Sequence, residues 1–181
     1  MDLLQNPFLI LTTSTRDNRR RIVELADERS LLLDSNECLE ASSNLTNPRK
    51  RLSAEIAWLP GIGPKRAGEV LSLLESSPSE LLTVGNITSI ARANLLAAGL
   101  TRLPEYTADD VAEWILEIAL AFEDINPEDL SIIINVERVV SGFPEVRDLL
   151  AVETEIQGRR QYYRQVIKSA LDNLSAKELI E

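Results

Sequence analysis

Two short stretches decide the predicted fold, and each contains an asparagine–proline pair. The first reads Asn6-Pro7-Phe8-Leu9-Ile10-Leu11, and the second reads Leu45-Thr46-Asn47-Pro48-Arg49-Lys50-Arg51. Proline is tolerated in the first turn of a helix, so the second stretch predicts the end of one helix and the start of the next.

Helical periodicity fills the sequence between these two stretches. Thr15 is predicted to cap a first long helix, and Ser35 is predicted to open a second. The apolar residues that recur at helical spacing in the two helices are Ile22, Leu25, Ala26, Cys38, Ala41 and Leu45. A third helix is predicted from about Arg49 to Trp58.

Helical patterns also dominate the rest of the chain, so the predicted fold class is all-α. Further helix starts are predicted at Pro64, Pro78, Thr88, Thr107 and Asn126. Residues 145–173 are predicted to form either a short coiled-coil seam or two packed helices, because Gly158 and Arg159 interrupt the apolar spacing. The predicted domains are a helical unit over residues 1–60 and an acidic helical region over residues 61–181.

Composition indicates a globular protein without the usual catalytic side chains. The chain has 181 residues, 44% of them hydrophobic, with one cysteine and no histidine. The absence of histidine removes the commonest general base, metal ligand and triad member. We expect no enzymatic activity, no cofactor and no metal. The sequence has neither a signal-peptide pattern nor an apolar run long enough for a membrane helix, and we expect a cytoplasmic protein.

Charge is distributed unevenly along the chain. The net charge is -10, but residues 1–66 carry a balance of +1 and residues 67–181 a balance of -11. An acidic surface attracts basic partners and repels nucleic acid. The alternative is that these carboxylates form solvated helix faces that keep the protein in solution.

Residues 5–58 resemble the J-domain of DnaJ-type co-chaperones. The resemblance lies in the order and spacing of the two Asn-Pro stretches and of the arginine-rich first long helix between them. The resemblance implies that Arg16, Arg19, Arg20 and Arg21 dock on a protein partner, which in that family is an ATPase chaperone. In the family a His-Pro-Asp tripeptide follows the basic helix. Here the sequence at that place is Leu31-Leu32-Leu33-Asp34, so only Asp34 has a counterpart.

Without the tripeptide, the resemblance implies a degenerate J-like domain that keeps contact and loses the stimulation of ATP hydrolysis. The predicted function is accordingly that of a non-catalytic adaptor or regulator that binds another protein. The alternative for the arginines is an ordinary solvated helix face.

A second resemblance concerns the sequence Leu59-Pro60-Gly61-Ile62-Gly63-Pro64-Lys65-Arg66-Ala67. It is similar to the turn of a helix-hairpin-helix motif, a module that binds DNA phosphates without sequence preference. The resemblance implies that Gly61 and Gly63 shape the turn, while Lys65 and Arg66 contact phosphate beside the free amides of a helix start. The alternatives are nucleic-acid binding and a simple connector between two packed helices.

Three further groups have more ordinary interpretations. Asp109, Glu113 and Glu117 share one predicted helix face, where a magnesium site and a solvated surface are the alternatives. Cys38 lies on an apolar helix face and is predicted to be buried packing. Residues 145–174 are the segment through which the chain could form an oligomer.

Overall fold

The computed structural model describes residues 1–104 and 106–174, and in that part the chain is all-α and contains no strand, as predicted. The α-helices are α1 (Pro7–Ile10), α2 (Arg19–Arg29), α3 (Ser35–Thr46), α4 (Pro48–Ile56), α5 (Pro64–Ser76), α6 (Ser89–Leu100), α7 (Ala108–Glu123), α8 (Pro127–Ser141) and α9 (Leu149–Asn173). Short 3-10 helices cover Leu3–Gln5 and Pro78–Thr83.

Side-chain caps confirm four of the predicted helix starts. Asn47, Thr88, Thr107 and Asn126 each accept a hydrogen bond from a backbone amide of the helix that follows, and Asn6 caps the short helix α1 in the same way. Thr107 and Asp110 form a reciprocal capping box at the start of α7. The hydrogen bonds that Thr107 donates from its backbone amide and its hydroxyl lower the pKa of the Asp110 carboxyl.

The predicted cap of the first long helix is wrong. Helix α2 begins three residues later than a Thr15 cap requires, and its N-cap is Asn18, which accepts a hydrogen bond from the Arg21 amide at 2.9 Å. The Thr15 hydroxyl instead donates to the Glu137 carboxylate of α8 at 3.1 Å. Asparagine is favoured over threonine as an N-cap, and the long-range contact with Glu137 occupies Thr15.

The chain divides into two compact units. Unit 1 contains Met1–Pro60 together with Asn126–Ile156, and unit 2 contains Gly61–Ile125 together with the residues from Gln157 onward. The predicted boundary between residues 60 and 61 coincides with the first change of unit. The predicted region 61–181, however, contributes Asn126–Ile156 to unit 1, because α8 carries partners for the buried charges of α4.

Unit 1 is built on α3, against which α1, α2 and α4 pack. Helices α2 and α3 pack together across a short connection and form a helical hairpin. Cys38 is buried on α3, as predicted. The largest apolar side chains that are fully buried in this unit are Leu3, Phe8, Leu11, Ile22, Leu45, Ile56 and Leu59.

A charged network lies inside unit 1 and centres on Glu55, which is 3% exposed. The Glu55 carboxylate accepts hydrogen bonds from Arg51 Nε at 2.7 Å and from Arg138 Nε at 2.9 Å. The Arg51 guanidinium also lies 4.0 Å from the centroid of the Phe143 ring. Burial lowers the pKa of Arg51, while the charge and hydrogen bond of Glu55 oppose that change.

The remaining N–H groups of the two arginines are satisfied by backbone carbonyls. Arg51 donates to the carbonyls of Leu45 and Thr15, and Arg138 donates to those of Pro48 and Pro144. A buried charge is tolerated only when it is paired and hydrogen-bonded. The network therefore joins α4 to α8 and fixes the backbone just before α2.

In unit 2, α6 packs closely against α7 because Gly99 has no side chain. A Cβ atom at position 99 would lie 2.6 Å from Cη2 of Trp114 and 2.8 Å from Cδ1 of Leu81. The apolar residues Val111, Trp114 and Ile118 of α7 are buried. The indole of Trp114 thus occupies the space that a larger residue at position 99 would need.

Helix α9 is continuous from Leu149 to Asn173, so the alternative of two packed helices is not observed. Its residues Arg159 and Tyr163 contact Asn94 of α6: Arg159 Nε donates to Asn94 Oδ1 at 2.9 Å and the Tyr163 hydroxyl donates to the same oxygen at 2.6 Å. Burial raises the pKa of Tyr163. The apolar seam residues of α9 that are buried are Val152, Ile156, Tyr163, Val166 and Ala170.

We expect Gly99→Ala to lower the free energy of unfolding by about 1–3 kcal/mol, because the new methyl group overpacks against Trp114 and Leu81. Gly68→Ala is the matched control: position 68 is also helical, but nothing lies within 4 Å of a Cβ built there. Alanine is the better helix former by about 1 kcal/mol, so this control should be neutral or stabilising. Urea unfolding of the two variants measures the difference, and equal effects would contradict the packing argument.

We expect Glu55→Gln to destabilise the protein by about 3–5 kcal/mol, because it leaves two buried guanidinium groups without a counter-charge. Glu69→Gln is the control, since Glu69 pairs with Arg66 at 3.0 Å on the surface, where an ion pair contributes about 1 kcal/mol or less. Denaturant unfolding followed by circular dichroism compares the two variants. A cost at Glu55 no larger than that at Glu69 would show that the network does not hold unit 1 together.

Candidate protein-interaction site

The connection between α2 and α3 exposes three consecutive leucines. Leu31 is 84% exposed, Leu32 77% and Leu33 38%, and Leu39, one turn into α3, is 67% exposed. We refer to residues 31–33 as the leucine turn. Burial of a leucine side chain typically contributes about 1.5–3 kcal/mol, so a run of exposed leucines is a surface that gains free energy when a partner covers it.

Local hydrogen bonds hold the leucine turn in an ordered conformation. The amides of Leu32 and Leu33 both donate to the Arg29 carbonyl at 2.9 Å. The Ser30 hydroxyl donates to the Asp27 carbonyl at 2.7 Å. These hydrogen bonds order the backbone of the turn, while the side chains of Leu31 and Leu32 stay exposed.

Asp34, a predicted partner-binding residue, caps α3. Its carboxylate accepts hydrogen bonds from the amides of Asn36 and Glu37 at 2.9 and 3.0 Å. A carboxylate at this position satisfies free amides and interacts favourably with the helix dipole. Asp34 therefore ends the leucine turn and fixes the register at which α3 begins, while its side chain stays on the surface.

The predicted docking arginines Arg20 and Arg21 lie on the first turn of α2 and are paired within the same helix. Arg20 Nε lies 2.8 Å from Glu24 Oε1, and Arg21 Nη1 lies 3.2 Å from Glu28 Oε1. The hydrogen bond from Arg20 lowers the pKa of Glu24. These pairs reduce the positive charge of the helix face, although the Arg20 side chain remains 88% exposed.

The other two predicted docking arginines contact α8 and the residues that follow it. Arg16 donates two hydrogen bonds to the Glu137 carboxylate, from Nε at 2.8 Å and from Nη2 at 3.1 Å. Hydrogen bonding to Glu137 and the negative charge of Glu137 raise the pKa of Arg16. The Arg19 guanidinium lies 5.3 Å from the centroid of the Phe143 ring. The structure thus brings the four arginines to one region of unit 1 and gives each a contact within the chain.

The predicted phosphate-binding residues lie at the beginning of unit 2. Gly61 has φ +78°, a left-handed conformation that favours glycine, and Gly63 is the N-cap of α5 without a side-chain hydrogen bond. Lys65 and Arg66 are exposed on the first turn of α5, and Arg66 is paired with Glu69. The first-turn amides of α5 therefore have no side-chain cap.

Carboxylates do not assemble into a metal site in the ranges 1–104 and 106–174, where no group of three or more potential ligand side chains could hold an ion. Glu117, one of the three carboxylates predicted to share a face of α7, instead pairs with Arg92 of α6 at 2.6 Å. Among the helices described in these ranges, none has the length and apolar character needed to cross a membrane.

The leucine turn is not among the sites predicted from the sequence, in which residues 31–33 are only the place of the missing His-Pro-Asp tripeptide. The sequence feature that could have indicated this site is the run of three leucines directly before a helix-capping aspartate. Because Asp34 caps α3, the leucines lie outside that helix. The pairing of Glu55 with Arg138 had no signal, because the two residues are distant in sequence.

Comparisons with known proteins identify no function for the candidate surfaces. No protein-family model matches this chain, and neither a curated protein nor a solved structure is significantly similar to it.

Proposed function

We propose that this chain is a non-catalytic protein-interaction protein whose α2–α3 hairpin binds a protein partner. The exposure of Leu31, Leu32 and Leu39 carries the proposal, because an ordered turn with exposed leucines gains free energy when a partner covers it. The turn is held by its own hydrogen bonds, so little backbone entropy would be lost on binding.

The J-domain resemblance supports the same surface and suggests the class of partner. A short first helix, a helix with arginines, a turn and a third helix that ends before Asn47-Pro48 follow one another in the order that the resemblance implies. In this proposal the partner is an ATPase chaperone or a protein regulated together with one. The chain binds without stimulating ATP hydrolysis, since it contains no histidine.

The arginines of α2 have a supporting role in this proposal. Exposed charges at the rim of an interface mainly accelerate association and orient the partner. Arg20 is the most exposed of the arginines that form ion pairs. Its pair with Glu24 is a surface pair that contributes about 1 kcal/mol or less, so a partner's carboxylate can replace Glu24 at little cost.

We expect a photo-crosslinking amino acid in place of Leu32 to capture a specific protein from an extract of the native host. The same amino acid at Leu120, an exposed leucine of α7 in unit 2, should not capture it. Mass spectrometry identifies the captured protein. Excess wild-type chain should suppress the crosslink, because it covers the same surface of the partner.

Two competitor variants make this test specific. Leu31→Ser plus Leu32→Ser should no longer compete, and Arg19→Glu, Arg20→Glu plus Arg21→Glu should compete more weakly than the wild type. Neither change removes a buried side chain, so both variants should remain folded by circular dichroism. Equal competition by the serine variant, or equal crosslinking from positions 32 and 120, would contradict the proposal.

The uncapped start of α5 favours a second candidate function, sequence-independent DNA binding by the helix-hairpin-helix-like turn. Free first-turn amides and the helix dipole attract a phosphate, and Lys65 adds an exposed positive charge. The turn has the left-handed Gly61 that permits close backbone approach. The acidic remainder of the chain would limit the affinity of such binding.

We expect duplex DNA to be retarded by the chain at low salt if α5 binds phosphate, with an affinity that falls as salt rises. Lys65→Glu plus Arg66→Glu should abolish the retardation. Arg164→Glu plus Lys168→Glu, an equal charge change at exposed positions of α9, is the control and should leave most of it. A gel-shift titration that shows no retardation at low salt would exclude this second function.

A further inference from the structure

The residues around the leucine turn carry a charge opposite to that of the start of α2. Residues 27–40 contain five acidic residues, all of them exposed, and one basic residue. The acidic residues are Asp27, Glu28, Asp34, Glu37 and Glu40. The basic residue, Arg29, is only partly exposed and donates a hydrogen bond to the Ile10 carbonyl at 3.2 Å.

Most of these carboxylates have no ion pair with another residue that the structure describes. Glu28 is paired with Arg21 at 3.2 Å. In the portions 1–104 and 106–174, no ion pair involves Asp27, Asp34, Glu37 or Glu40. The exposed leucines thus belong to a stretch of chain with an unneutralised negative rim.

The acidic rim and the arginines act as separate surfaces. Helix α2 has 11 residues and rises by about 1.5 Å per residue, so its arginine-rich start lies roughly 15 Å from the leucine turn. The Debye length at physiological ionic strength is about 8 Å. The segment of a partner that covers the leucine turn therefore encounters the field of the carboxylates and little of that of the arginines, which are left to face another part of the same partner.

From this arrangement we infer the chemistry of the partner, an inference that rests on the proposed function. The leucine turn binds a basic amphipathic protein segment, whose apolar side chains cover Leu31, Leu32 and Leu39 and whose flanking lysines or arginines face Asp27, Glu37 and Glu40. Charge complementarity selects this occupant, because acidic segments, nucleic acids and anionic lipid surfaces are all repelled by the rim.

The test uses a labelled helical peptide of about five turns with leucines on one face and lysines beside them. Two matched peptides carry glutamate for every lysine or serine for every leucine. We expect the leucine–lysine peptide to bind the full chain in fluorescence anisotropy and the other two to bind at least about tenfold more weakly. Leu31→Ser plus Leu32→Ser should remove binding of the leucine–lysine peptide.

Reversal of the rim charge makes the test sharper. Glu37→Lys plus Glu40→Lys should shift the preference towards the leucine–glutamate peptide. Glu123→Lys plus Asp124→Lys gives the same change of net charge at exposed positions in unit 2 and should leave the preference unchanged. Equal binding of the lysine and glutamate peptides, an equal effect of the two charge reversals, or binding only to vesicles of zwitterionic lipid would overturn the inference.

The captured native partner separates failure of this inference from failure of the proposed function. If position 32 crosslinks the partner and the Glu37→Lys plus Glu40→Lys chain captures it equally well, the surface is an interaction site but its partner segment is not basic. If position 32 captures nothing that wild-type chain can displace, the proposed function and this inference fail together. Loss of capture on charge reversal, with capture kept in the Glu123→Lys plus Asp124→Lys chain, supports both.

Discussion

The structure of unit 1 depends on one carboxylate, that of Glu55, which lies between two buried guanidinium groups. Burial of a charge is costly, and the two arginines tolerate it because Glu55 and four backbone carbonyls satisfy them. Those carbonyls belong to the segment before α2, the end of α3, the start of α4 and the residues after α8. Helix α8 is therefore an integral part of the unit that contains Met1–Pro60.

Residues beside this network also give the arginines of the predicted docking face a structural role. Phe143 follows α8, and its ring lies against both Arg51 and Arg19. Arg16 is held by Glu137 of α8. The positive charge at the start of α2 is thus partly used to attach that helix to α8, which gives a physical reason for basic residues at a helix start where the dipole disfavours them. In the leucine turn, by contrast, the side chains of Leu31 and Leu32 stay exposed.

Local chemistry explains which features could be predicted from the sequence. The caps at Thr88, Thr107 and Asn126 follow from side chains that satisfy nearby amides, and the all-α class follows from apolar spacing. The features that could not be predicted depend on contacts between residues that are distant in sequence. Thr15 is drawn away from α2 by Glu137, and α9 continues through Gly158 because Ile156, Arg159 and Tyr163 are buried on either side of it. A single glycine costs a helix about 1 kcal/mol, which such burial outweighs.

The candidate surfaces also differ in how far the local sequence predicts them. Asp34 is predicted to bind a partner because of its place in a motif, but its two amide contacts give it a structural role at the start of α3. The leucines beside it form a candidate surface because the structure leaves them exposed. The leucine turn lies in unit 1 and the start of α5 lies in unit 2, and the side chains substituted at either surface are exposed. Separate loss of protein binding and of phosphate binding would therefore show that one chain carries two independent contacts, the property that defines an adaptor.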